Sequence, residues 1–389
     1  MTLLVMPTLS CNIGCVYCFQ RPVLDRPSKH IVYKPDLEAM KQSILNIIKT
    51  TGHTEIVLHG GEPLLTPIKD LQDILEWATR HNLKVAVQTN GILITEQHIQ
   101  LFKRYNVSVG ISIDGLENTN VLRGYHEHGY NPETKVNQLY RKRMIKIIER
   151  LARETTDNGQ PILGGVITII HKINAKENIE ELAKFIEWLW NLGVKSGRLN
   201  PMYANTEYAK QFELTPDELY EAYVYLWERL KHKVRNWTPY TDIINLLLGD
   251  FKNTVCWFNG CSYYDSFVWT VLPDGTVISC DRAMDRGLWT RATLPQTRPR
   301  ALWQAMRHKY KYPHLHLFGC PAEAEDHWMN PSKFTPAFEK LIDYMAQQIK
   351  TLFPWYKLTT DYPDPEKLLE YRFKGCQYDY INGEFTCNT

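Results

Sequence analysis

The stretch Cys11-Asn12-Ile13-Gly14-Cys15-Val16-Tyr17-Cys18-Phe19 decides how the rest of the chain is read. Three thiols fall within eight residues, directly after the apolar run Leu3-Leu4-Val5-Met6. An apolar run that feeds a Gly-containing loop predicts a strand delivering that loop at the end of a sheet. Three thiolates on such a loop can converge on one metal centre, and they leave a coordination position open for something else. A structural zinc site needs four protein ligands, and the nearest histidines, His30 and His53, lie outside the motif. A disulfide would leave one thiol over, and nothing at the N-terminus reads as a secretion signal. Spacing alone favours an iron–sulfur cluster and keeps zinc as the alternative.

Composition narrows the classes. At 389 residues the chain has room for one large domain and a smaller one. A net charge of +2 makes no case for nucleic acid or an anionic membrane, and no apolar run has the length of a membrane span. Nine cysteines without a signal peptide predict a reducing, cytoplasmic setting and metal ligation rather than disulfides.

Beyond the cysteine loop the pattern alternates. Helical spacing covers 35–50, 68–80, 96–105, 141–154 and 177–192, and apolar strand runs cover 54–59, 84–88, 107–115, 162–170 and 196–200. Six strand–helix units in register predict right-handed crossovers and a parallel sheet. Functional groups then belong at the C-terminal strand ends, where the cysteine loop, Gly60-Gly61, Asn90, Ser112 and Asn200 fall. Residues 116–140 read as a long polar insertion whose His126 and His128 are solvated. Thr215 is the expected N-cap of a helix over 219–234, with Pro216 and Asp217 in its first turn.

The spacing Cys11-x3-Cys15-x2-Cys18, flanked by aromatic residues, resembles the signature of the radical S-adenosylmethionine (SAM) superfamily. The resemblance extends to Gly60-Gly61-Glu62-Pro63 after the second strand, Thr89-Asn90-Gly91 after the third and Ile111-Ser112-Ile113-Asp114-Gly115 on the fourth. It implies a partial (β/α)6 barrel, a [4Fe–4S] cluster on the three cysteines, and SAM chelating the fourth iron. An electron passed to SAM then gives a 5′-deoxyadenosyl radical, which abstracts a substrate hydrogen. By the same resemblance Tyr17, Gly60, Gly61, Glu62, Pro63, Asn90 and Ser112 contact SAM. Arg123 pairs with its carboxylate, and Asn200 and Met202 border the adenine. A solvated loop arginine is the plainer reading of Arg123.

A second set, Cys256-x4-Cys261-x13-Gly275-x4-Cys280, surrounds Leu272-Pro273-Asp274-Gly275, a strong hairpin signal. Cys320 follows a helix expected over 302–309. This layout resembles the SPASM/twitch extension of the superfamily and implies an auxiliary [4Fe–4S] cluster on Cys256, Cys261, Cys280 and Cys320. The full SPASM pattern would add further cysteines after Cys320. Here the next thiols are Cys376 and Cys387, so one auxiliary cluster is expected and those two stay unassigned. Asp281 occupies the position of the base in sulfatase-maturing relatives, with a turn-capping Asp as the alternative.

The expected organisation is an α/β chain. A radical SAM partial barrel spans 1–210, bridging helices 211–250, a small α+β twitch/SPASM-like domain 251–325, and a C-terminal helix and tail 326–389. The resemblance implies hydrogen abstraction from a peptide or protein side chain, with a flavodoxin or ferredoxin as reductant. No leader-binding domain is expected before Cys11, so a leader would be read by the rim, the 116–140 insertion or a separate protein. A twitch-type dehydrogenase of a sugar-like molecule and a non-enzymatic metal or cluster scaffold are the alternatives.

Overall fold

The computed structural model describes residues 2–18, 35–126, 130–204, 206–247, 268–278, 333–352, 376–379 and 384–387. Strands β1 (Thr2–Thr8), β2 (Glu55–Gly60), β3 (Lys84–Thr89), β4 (Ser108–Ser112), β5 (Leu163–Ile170) and β6 (Gly197–Pro201) lie side by side, each parallel to the next. They alternate with α1 (Leu37–Thr51), α2 (Ile68–Arg80), α3 (Glu96–Arg104), α4 (Lys135–Leu151) and α5 (Ile179–Asn191). Helical crossovers between parallel strands bring every C-terminal strand end to one rim. The α/β layout and the six units expected from sequence are therefore present. On α2, Leu71, Leu75 and Ala78 recur at i, i+4 and i+7 and are wholly buried. Each large side chain of that kind contributes about 1.5–3 kcal/mol by leaving water.

Three strands extend the sheet beyond the six. β7 (Trp237–Thr238) adds to β6 in parallel, and at two residues it is too short to leave a periodic signal. Its Trp237 ring fills the space over Gly197, where a Cβ would come within 2.6 Å of the indole. On the other edge β8 (Val268–Val271) lies parallel to β1, with Trp269 opposite Leu3. β9 (Val277–Ile278) folds back on β8 to close the hairpin predicted at Pro273-Asp274-Gly275. Gly275 takes φ +79°, and the turn docks on the start of α1, where Asp36 N–H donates to the Pro273 carbonyl (2.8 Å) and Ser43 to that of Gly275 (2.7 Å). The hairpin placed by sequence in the auxiliary region thus continues the sheet beside the strand that carries the cysteine loop.

Helix α6 (Pro216–Leu230) has the predicted start. The Thr215 hydroxyl accepts from Glu218 N–H, and the Glu218 carboxylate accepts from Thr215 N–H. Tyr223 ties it to the sheet through the Leu199 carbonyl (2.7 Å). After α7 (Tyr240–Leu247), helix α8 (Thr335–Leu352) packs on α6, with Lys340 on Asp217 at 2.6 Å. β10 (Cys376–Asp379) and β11 (Glu384–Cys387) pair antiparallel, with Cys376 opposite Cys387. The helix expected over 302–309 lies outside the described residues. Among the described residues no helix is long and apolar enough to cross a membrane.

Candidate active site

The cysteine loop leaves β1 at Thr8 and is held from two sides. On one side Gly61 N–H donates to the Thr8 carbonyl (3.3 Å) and Glu62 N–H to that of Ser10 (2.8 Å). Gly60 takes φ +125°, and a Cβ on Gly61 would stand 2.1 Å from the Ser10 oxygen. The sequence reading gave this glycine pair to close approach of a ligand. Its tight contact is with the backbone that carries the thiols. Gly61→Ala should push Ser10 away, cost about 1–3 kcal/mol by overpacking, and lower the iron bound by the loop. Iron content and urea midpoint equal to wild type would contradict this.

On the other side Gly14 N–H donates to the Gly124 carbonyl (2.7 Å) and Val16 N–H to that of Leu122 (3.0 Å). Residues 119–124 therefore form a wall of the loop, and the expected solvated insertion is corrected. Thr119, Asn120, Leu122, Arg123 and His126 are buried, and the His126 ring meets the Val121 carbonyl at 2.9 Å. Buried Asn137 accepts from Tyr125 N–H (2.7 Å) and donates to the Asn131 carbonyl (2.8 Å), closing the segment on α4. That helix starts at Lys135, six residues before the predicted start. His128 lies outside the described residues.

Glu62, at the end of β2, is also buried. It accepts from Thr89 Oγ1 (2.5 Å), Asn90 N–H (2.7 Å) and Leu64 N–H (3.0 Å). Asn90 Nδ2 passes the connection on, donating to Asn12 Oδ1 (2.8 Å) and lying 3.9 Å from Cys11 Sγ. Pro63 opens a short 3-10 turn behind Glu62. The carboxylate thereby joins the ends of β2 and β3 to the thiol loop. Burial pushes the Glu62 carboxyl from 4.5 up to about 7, against three hydrogen bonds that pull it down. Between those values the folded chain keeps a proton that the unfolded chain has lost. Stability of the metal-free protein should therefore fall as pH rises from about 4.5 to about 7 and level off above it. Glu62→Gln should flatten that slope by up to about 3 kcal/mol, read as urea midpoints at both ends of the window. An unchanged slope would remove Glu62 as its source.

Below the loop Asp114, wholly buried, gathers Arg123 Nε (2.9 Å), Ile169 N–H (2.9 Å) and the Tyr17 hydroxyl. Asn120 Oδ1 accepts from Asp114 N–H at 3.0 Å. The Arg123 guanidinium stands 5.4 Å from the Tyr17 ring centre. It is thus a buried ion-pair member, and the solvated reading of Arg123 does not hold. Ser112 Oγ, at the end of β4, accepts from Gln88 Nε2 (2.8 Å). Asn200 is half-buried on β6, with buried Met202 just beyond. The motif Ile111–Gly115 does not by itself assign Asp114 a role, and neither Asn12 nor His171 carries a local sequence signal. Cys256, Cys261, Cys280, Asp281 and Cys320 lie outside the described residues.

Burial pushes the Cys11 thiol far above its usual range, and neighbouring Cys15, Glu62 and Cys18 add to that. Only a cation at the sulfur would make its thiolate the stable form. Among the described residues no group of three His, Cys, Asp or Glu side chains is set to hold one metal ion. Cys15 and Cys18 both act on the Cys11 sulfur, so the three thiols share one short loop, as ligation of a multi-iron body would require.

Residues 5–189 match the family model described as the Radical SAM superfamily. The chain carries a radical SAM domain. It is similar to the cysteine-type anaerobic sulfatase-maturating enzyme of Clostridium perfringens, 27% identical over 296 residues that cover 72% of this chain and 74% of that enzyme. The serine-type enzyme of Bacteroides thetaiotaomicron is 25% identical over 146 residues, 36% of this chain and 32% of the relative. Among solved structures, native anSMEcpe with bound AdoMet and Cp18Cys peptide has a TM-score of 0.65 at 19% identity, covering 90% of this chain and 98% of that one. Streptococcus suis SuiB has a TM-score of 0.51 at 14% identity, covering 77% and 63%. At these identities the two structures speak for the fold alone. A radical SAM domain implies a [4Fe–4S] cluster and SAM, and the clamped thiols and polar rim fit that pair of cofactors.

Proposed function

We propose that this radical SAM enzyme abstracts a hydrogen atom from a side chain of a peptide or protein, leading to its oxidation or crosslinking. The observation that carries the reading is the clamped three-thiol loop at the rim, in a chain similar to a sulfatase maturase over nearly three quarters of both lengths. The bound cluster and SAM supply the radical chemistry. The protein holds and orients them. Cys11, Cys15 and Cys18 ligate the cluster, while Gly60 to Pro63, Asn90, Ser112 and Tyr17 shape the SAM pocket, with Asn200 at its far side. Arg123 offers the charge that a carboxylate needs, and its anchorage on Asp114 fixes its place. Cys256, Cys261, Cys280 and Cys320 ligate one auxiliary cluster in a twitch-like domain over 251–325, and Asp281 is the base.

Anaerobic incubation with SAM, a reductant and cysteine- or serine-containing peptides, followed by mass spectrometry, tests this. A peptide product lighter by two hydrogens, or carrying a new crosslink, supports it. Turnover of small polyols with none of peptides would move the enzyme to the dehydrogenase class. Asp281→Asn should retain deuterium transfer from labelled peptide into 5′-deoxyadenosine while product falls on the order of 10²-fold. Full product from that variant would remove the base assignment.

A further inference from the structure

His171 is the first residue after β5, so it stands on the rim that carries the cysteine loop. Its ring centre is 6.4 Å from that of Tyr17, and the charges of Asp114 and Arg123 both act on it. The side chain has no exposure to solvent. Among the described residues neither ring nitrogen has a hydrogen-bond partner. Each buried polar atom left unmet costs about 1–3 kcal/mol, and two on one ring are a cost that apolar packing would not retain.

The surroundings fix this ring in place without using its nitrogens. His171 N–H donates to Asn174 Oδ1 (2.8 Å), and Asn174 Nδ2 donates to the carbonyls of Asp114 (2.9 Å) and Ile169 (2.9 Å). Asn174 lies in a π-helical turn, Ile173–Glu177, between β5 and α5. Such turns are rare and recur at functional sites. One asparagine therefore ties together the ends of β4 and β5 and the backbone of His171. The imidazole is left with an N–H to give and a nitrogen to accept. Burial lowers its pKa to about 4, so the ring is neutral and keeps both capacities.

The geometry points to His171 as a SAM-binding residue, its ring N–H donating to an oxygen of bound SAM beside Arg123 and Tyr17. This rests on the reading that SAM occupies that rim. The opposing account is a packing histidine whose nitrogens meet only internal water.

Anaerobically reconstituted wild type, His171→Leu and His171→Asn separate the two by equilibrium dialysis with SAM and by urea unfolding of the metal-free proteins. Leu removes both polar atoms at similar bulk. It should leave loop iron unchanged and leave the urea midpoint equal to or above that of wild type. Its SAM dissociation constant should rise roughly 10-fold, the loss of one buried hydrogen bond. Asn retains a donor and should recover part of that loss. SAM binding by His171→Leu equal to wild type overturns the inference, as does a lowered urea midpoint in both variants with equal losses of affinity. Wild type that fails to bind SAM would instead overturn the underlying reading of the rim.

Discussion

Replacing Cys11, Cys15 and Cys18 together by Ala is expected to abolish 5′-deoxyadenosine formation while leaving the chain folded. The loop does not depend on its thiols for its path. Backbone bonds from Gly14, Val16, Gly61 and Glu62 hold it to the segments on either side. The loss is therefore one of ligation, and the urea midpoint of the metal-free variant should stay close to that of wild type. Total loss is expected rather than partial, because on the proposed reading each of the three sulfurs would ligate the cluster and none could be replaced by a neighbouring side chain. If the auxiliary cluster exists, the variant retains about four irons per chain. Iron falling to zero would mean that the second site is absent. Residual 5′-deoxyadenosine would mean that the loop is not the SAM-cleaving centre.

Local signals carried most of this architecture. The cysteine spacing, the Gly-Gly turn, the alternation of apolar runs and the Pro273-Asp274-Gly275 hairpin are each read within a few residues, and each is found where expected. What was not legible depends on contacts distant in sequence. Two-residue β7 gains its place from β6 and from the Trp237 ring over Gly197. The pairing of β8 with β1 joins residues 266 apart in number, as Leu3 and Trp269 do. Residues 116–126 are polar and carry no periodicity, which reads as a solvated loop. Their carbonyls face the amides of the cysteine loop, and Asn120 and Arg123 close on Asp114, so polarity here marks satisfied burial. Asp114 shows the same limit, since a carboxylate in a motif does not disclose which groups converge on it.

That convergence sets the other large effect. Asp114 has no exposure and the Arg123 side chain is 9% exposed, so the pair is shielded from water on both sides. Removing one member of a buried pair strands the other, at a cost of about 3–5 kcal/mol. Asp114→Ala also takes the acceptor from the Tyr17 hydroxyl and from Ile169 N–H. Its loss of unfolding free energy should therefore reach at least that range, a large share of the 5–15 kcal/mol that is typical of a folded domain. Asp114→Asn keeps an acceptor for Ile169 but not the charge, and should lie between Ala and wild type. The double variant Asp114→Leu/Arg123→Leu removes both charges at once and should recover most of the stability lost by Asp114→Ala, since buried pairs are replaceable by apolar groups of similar size. SAM affinity should not return with it, because the guanidinium assigned to the carboxylate is gone. Urea unfolding and SAM dialysis on the three proteins read stability and binding separately. A double variant no more stable than Asp114→Ala would show that the ion pair is not what Asp114 contributes. A double variant that regains both stability and SAM binding would remove Arg123 from the SAM site, leaving the pair as the strut between the cysteine loop and the ends of β4 and β5.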